Sequence, residues 1–167
     1  MKTIKCKLDS SELERAIEEL RDYREDFEKK IERFVRDLVS AGVVVANMRV
    51  SSTQGDSSLP TVTYEVDSRG DIVSANIAIN GGDVLFVEFG AGIAYNTGAE
   101  HPKASEFGYG IGTYPSEHPP NKAINPGYWY YGHGKRSIGT QASMPIYGAS
   151  ESMRNELIQK AVEAFRS

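Results

Sequence analysis

The chain has almost no cysteine: Cys6 is the only one in 167 residues. A lone thiol excludes an intrachain disulfide and any four-cysteine zinc site. No apolar run approaches the ~18 residues that a membrane span needs. The start, MKTIKCKLDSSEL, lacks the apolar core of a signal peptide. The expectation is a soluble protein made in the cytoplasm, with no membrane role. A basic surplus is also missing, since 23 acidic and 19 basic residues leave a formal net charge of −4. Gripping a phosphate backbone usually needs a concentrated basic face, so no specific nucleic-acid binding is expected.

Catalytic signatures are missing as well. Gly90-Ala91-Gly92 opens like a dinucleotide loop, but the third glycine of that pattern would fall at Tyr95. The phosphate-binding GxxxxGK[ST] motif and the GxSxG nucleophile elbow are absent. The three histidines, His101, His118 and His133, stand seventeen and fifteen residues apart. Zinc ligands usually come in close pairs, two to four residues apart, so one turn can aim both at the metal. No catalytic residue, cofactor or metal site is assigned, and the chain reads as non-enzymatic. A hydrolase built on the three histidines is the rival from the enzyme class.

What is present is a strongly patterned N-terminal half. Ile4, Cys6 and Leu8 alternate with polar residues and read as a short strand that turns Cys6 inward. Ser10 or Ser11, with Glu14 as partner, reads as the cap of a helix. Apolar residues follow at Leu13, Ile17, Leu20, Tyr23, Phe27, Ile31, Phe34, Leu38, Ala41 and Val45. Those steps of three and four predict one long amphipathic helix with Glu/Lys/Arg pairs such as Glu25–Lys29 on its polar side. Eleven acids and seven bases between Asp9 and Asp37 put the whole net charge here. A helix this long projects from a compact body unless it bends or a neighbour covers it. Gly42 before Val43, Val44 and Val45 leaves its end open, and a switch to strand there is one alternative.

Ser51 to Pro60 reads as a loop. Thr61 to Val66 and Ile72 to Ile79 form the clearest hairpin, with Asp67 to Gly70 as its turn. Asn80-Gly81-Gly82 closes it. Asp83 can cap a short helix, VLFVEF, that Gly90 ends in the left-handed conformation, although the same residues also fit a buried strand. From Gly92 to about Pro126 there is no periodicity, only glycine, proline and aromatics, and such long loops are usually functional or held by a partner. Gly127 to Gly132 (GYWYYG) reads as an aromatic strand, and Lys135 to Gln141 as its antiparallel partner. Pro145 opens the closing helix, with Met153, Leu157, Ala161 and Phe165 as its stripe.

Ten aromatics lie between Phe86 and Tyr131, and Tyr128-Trp129-Tyr130-Tyr131 puts rings on both faces of a strand. Aromatics of this kind are enriched at protein interfaces. Burial under the chain's own loop and a carbohydrate- or peptide-binding platform are the other readings. The expected fold is a single α+β domain over 1–167. A long N-terminal helix and a C-terminal helix pack on a small, mainly antiparallel sheet, beside a long irregular loop.

In order, these segments are a long amphipathic helix, a hairpin, Val87-Glu88-Phe89-Gly90-Ala91-Gly92, the Trp129-Tyr130-Tyr131 strand, then Thr140 and Met144-Pro145-Ile146-Tyr147 leading into a helix. This order resembles the tail-completion (minor tail, head–tail connector) proteins of long-tailed bacteriophages and prophages. The match spans nearly the whole chain, through short motifs. Ala91 stands where the family usually has threonine, the ARPF form of the last lead-in is missing, and the loop from Ile93 to Pro126 is long. The resemblance implies a structural subunit of the virion tail or neck. It implies a ring, commonly of six copies, between tail-tube and neck proteins, with DNA passing through. It implies no catalytic residues. The interface candidates are Glu88, Phe89, Gly90, Gly92, Tyr128, Trp129, Tyr130 and Tyr131.

Overall fold

The computed structural model describes residues 9–55, 57–90, 101–103, 139–166 and, as backbone alone, 129–131 and 135–137. The expected strand at Ile4 to Leu8, with Cys6, lies outside these residues. So do Gly92, Tyr128, His118, His133, the side chains of Trp129 to Tyr131 and most of the long loop.

The fold is α+β, as the pattern predicts. Helix α1 runs Ser10–Ser51, 42 residues, or about 60 Å at 1.5 Å per residue. Asp9, not Ser10 or Ser11, is its cap. Its carboxylate accepts from the Ser11 amide at 3.3 Å, and its carbonyl takes the Leu13 amide at 2.9 Å. The pairs lacing the polar side are Arg24–Glu28, Asp26–Lys30, Glu32–Arg36 and Arg33–Asp37, all four residues apart.

The valine run does not break the helix. Val39, Gly42, Ala46 and Val50 form one buried line, and that burial overrides the weak helix preference of β-branched residues. This line sits one residue later than the predicted Leu38-Ala41-Val45. A seven-residue repeat drifts about 20° per heptad around a straight helix, close to one residue over four heptads. The packed face follows the true 3.6-residue turn, so Gly42 and Ala46 lie in line with Leu13 and Ile17 far up the same face.

Strands β1 (Thr61–Arg69) and β2 (Ile72–Asn80) pair antiparallel from Thr61↔Asn80 to Arg69↔Ile72. The strands extend into the expected turn and leave a two-residue connection, Gly70-Asp71. Gly70 takes φ +59°, which a tight hairpin turn asks of its first residue. Val62, Val66, Val73, Ala75, Ile77 and Ile79 alternate toward α1, and the other face is mainly polar, with Ile72 exposed on it.

Helix α2 spans Val84–Phe89. The carbonyl of Asp83 accepts the Phe86 and Val87 amides, both at 3.0 Å. Its carboxylate does not cap the helix; it takes the Ser58 amide and hydroxyl, both at 2.8 Å, and so ties down the loop after α1. Strands β3 (Trp129–Tyr131) and β4 (Lys135–Ser137) pair antiparallel as a second two-stranded ladder. The expected small sheet is thus two separate ladders among the described residues.

Helix α3 spans Pro145–Arg166. It runs antiparallel to α1, since Gly148 meets Arg49, Met153 meets Gly42, and Phe165 meets Phe34 and Phe27. Glycine and alanine (Gly42, Ala46, Gly148, Ala149) line the close approach. In the predicted stripe of α3, Leu157 and Phe165 remain substantially exposed, and the buried line is Pro145, Gly148, Ala149 and Ala164. No helix among the described residues is long and apolar enough to cross a membrane.

Candidate functional site

The site forms where α2 meets the start of α3. The first turn of any helix presents amides with no partner inside the helix, and a side-chain acceptor at the cap position usually satisfies one or two. In α3, Pro145 takes the first position, where a missing N–H does no harm. The cap position then falls on Met144, whose carbonyl accepts the Gly148 amide at 2.8 Å. Methionine offers no cap oxygen. Its backbone sits at φ 53°, the one positive value outside glycine among the described residues.

Glu88 supplies the missing acceptor from 58 residues away in the chain. Its Oε2 takes the Ile146 amide and its Oε1 the Tyr147 amide, both at 2.9 Å. Carboxylate charge at a helix N-terminus is further stabilised by the helix dipole. One residue earlier, the Val87 carbonyl receives the Ser143 amide at 3.0 Å and the Ser143 hydroxyl at 3.2 Å. Two consecutive residues of α2 thus hold the whole lead-in to α3.

Glu88 is buried, 7% exposed, and His101 beside it is 5% exposed. The Lys103 amide donates to His101 Nδ1 at 3.0 Å, so Nδ1 is an acceptor and carries no proton. The ring proton then sits on Nε2, which donates to Glu88 Oε1 at 3.1 Å. The imidazole packs between two rings, with centroids 4.5 Å from Phe89 and 5.2 Å from Tyr147. Three N–H groups therefore converge on one buried carboxylate. A buried charge needs such partners to be tolerated.

Behind Glu88 and Phe89, Gly90 ends α2 at φ 80° and ψ 161°. Its φ is positive as expected, but ψ is extended, so the conformation is not the left-handed helical one. It belongs to a region that glycine alone enters readily. Thr140, buried on the other side, hydrogen-bonds the Ser57 hydroxyl and bridges Gly55 backbone to backbone. Arg49 reaches across Gly148 and donates to the Ser143 carbonyl at 3.0 Å.

The structure therefore brings together Glu88, Phe89 and Gly90 among the candidate residues, and adds His101, Val87, Ser143 and Tyr147. Trp129, Tyr130 and Tyr131 are described only as strand backbone. Chemically the cluster is a latch. Both nitrogens of His101 and both oxygens of Glu88 are engaged in hydrogen bonds within the protein. Among the described residues no group of three or more His, Cys, Asp or Glu could hold a metal ion. A cleft of about 390 Å³ lies over the latch, lined by Ile79, Leu85, Phe89, His101, Tyr147 and Arg154 among others. Comparison with protein-family models, with curated proteins and with solved structures finds no match for this chain.

Proposed function

We propose that the chain is a structural, non-enzymatic subunit of a phage or prophage tail, forming a ring at the head–tail junction during virion assembly. The observation that carries this reading is the Glu88 latch. The resemblance rests on the order of short motifs along the chain, among them VEFGAG and the Met144-Pro145-Ile146-Tyr147 lead-in. In the fold the described part of the first, Val87 to Gly90, forms one unit with the second, its acid holding the helix start. Motifs that depend on each other physically are a stronger signature than the same motifs taken singly. The buried, saturated carboxylate also suits a scaffold role better than a catalytic one.

On this reading the subunit meets further copies of itself, commonly six in all, with neighbours in the tail tube and neck. DNA passes through the ring without sequence-specific contact, which fits the absence of a basic surplus. The test is composition and position. Purified tailed particles of the phage or prophage carrying this gene should contain the chain, and antibody-gold should mark the neck. Its absence from every tailed particle, with a free chain that never associates with neck or tube proteins, would overturn the proposal.

A further inference from the structure

Helix α3 covers α1 only as far as Phe27 and Phe34, whose rings Phe165 contacts just before α3 ends at Arg166. Beyond that point α1 continues for more than four turns toward Ser10. On the face in line with the packed Gly42 and Ala46 it carries Leu13, Ile17 and Leu20, which are 40%, 50% and 55% exposed. With Tyr23 and Phe27 they leave on the order of 400 Å² of apolar surface in one stripe, the size of the largest and often functional patch on a monomer.

We propose that this stripe is a contact for a second copy of the same helix, lying antiparallel. Three features choose that occupant and direction. Continuing the spacing of Leu13, Ile17 and Leu20 brings Arg24 into the seam, where it is held by Glu28 at 2.6 Å and by Asp71 of the hairpin tip at 3.2 Å. A parallel pair would set Arg24 against its own copy. An antiparallel pair that opposes Ile17 to Leu20 sets Arg24 beside Leu13 instead. The flank of the seam carries Glu14 and Arg21, seven residues apart and opposite in charge. In the antiparallel register each Glu14 comes beside the second copy's Arg21, twice by symmetry, whereas a parallel pair leaves these charges without such partners. Finally, the second copy's α1 begins at Ser10 opposite Phe27, close to where α3 stops. Its positive helix end then faces the negative end of α3.

This contact is isologous, using one patch on both copies, and it concerns the free subunit. A head-to-tail ring uses two different patches, so the pairing does not depend on the ring reading. The apolar area is about half of a standard stable interface, so a weak, concentration-dependent pair is expected.

Sedimentation equilibrium on the full chain across a concentration series tests it, with circular dichroism confirming that each variant folds. A monomer–dimer equilibrium is expected. Leu20→Glu should raise its Kd more than tenfold. Glu14→Arg and Arg21→Glu should each raise it about tenfold, and the double swap should return it to within about threefold of the original. A chain that stays monomeric, or a double swap no tighter than the single ones, overturns the pairing. A six-copy species indifferent to Leu20→Glu would also overturn it while supporting the ring. A dimer lost on Leu20→Glu, in a chain absent from tailed particles, would sustain the pairing and sink the ring.

Discussion

Replacing Glu88 probes the latch directly. Glu88→Gln keeps size and shape, and the amide oxygen can still accept from His101 and Tyr147. Its NH₂ group then faces the Ile146 amide, donor against donor, at a position where Oε2 now accepts at 2.9 Å. Losing one charge-assisted bond and burying that mismatch should cost about 2 kcal/mol. Glu88→Ala goes further, leaving three N–H groups without an acceptor beside a new cavity, at about 3–5 kcal/mol. For a chain of this size 1 kcal/mol moves the melting temperature by roughly 2–4 °C, so the glutamine variant should lose about 4–8 °C and the alanine variant more. Denaturant titration and calorimetry measure the total. Hydrogen exchange locates it: the amides of Ile146 and Tyr147 should lose protection before the rest of α3. Glu65→Gln, on the exposed face of the hairpin, is the control and should change nothing measurable. If Glu88→Ala stayed within about 0.5 kcal/mol of the parent, or if protection at the start of α3 were unchanged, the latch would not be what holds these elements together.

Gly90→Ala should cost about 2 kcal/mol in denaturant titration, because no other residue adopts its backbone conformation without strain. Gly148→Ala should cost about 1–2 kcal/mol by pushing the Arg49 side chain off its carbonyl. In an Arg49→Ala background the same change should be neutral or stabilising, since alanine favours helix over glycine. Leu20→Glu should leave the stability of the monomer within about 0.5 kcal/mol, because the side chain it replaces is already half exposed.

The pattern of the chain predicts the long helix, the hairpin, the short VLFVEF helix, the aromatic strand with its partner, and the helix opened by Pro145. Each rests on a local signal: period, turn residues, or a proline at a permitted position. The differences arise where local signals compete with packing. Val43 to Val45 suggest a strand in isolation, yet they flank a glycine–alanine face that α3 covers, and burial keeps them helical. Asp67 to Gly70 is rich in favoured turn residues, but the ladder extends three pairs further and only Gly70 with Asp71 turns. Asp83 stands at the cap position, but its carboxylate reaches back to Ser58, a partner that no local pattern discloses.

The latch was legible only in halves. Glu88 interrupts an otherwise apolar run, VLFVEF, and a carboxylate in such a run must find donors when it is buried. His101, beside a proline in an irregular stretch, gave no sign that its ring would be buried against that carboxylate. The other half is a helix start in which proline fixes the first position, so the cap falls on methionine, a residue with no oxygen to offer. Each half is a deficit: one lacks donors, the other lacks an acceptor. Sequence separation hides that they answer each other, because the intervening residues carry no period from which a contact could be inferred. Two unmet hydrogen-bonding needs of opposite sense in one small chain are nonetheless a pairing signal in their own right. That signal would have placed Glu88 at the start of α3 without any catalytic assumption. It also explains why the aspartate one methylene shorter should not substitute: Glu88 has to span from α2 to two successive amides of another helix while still meeting His101.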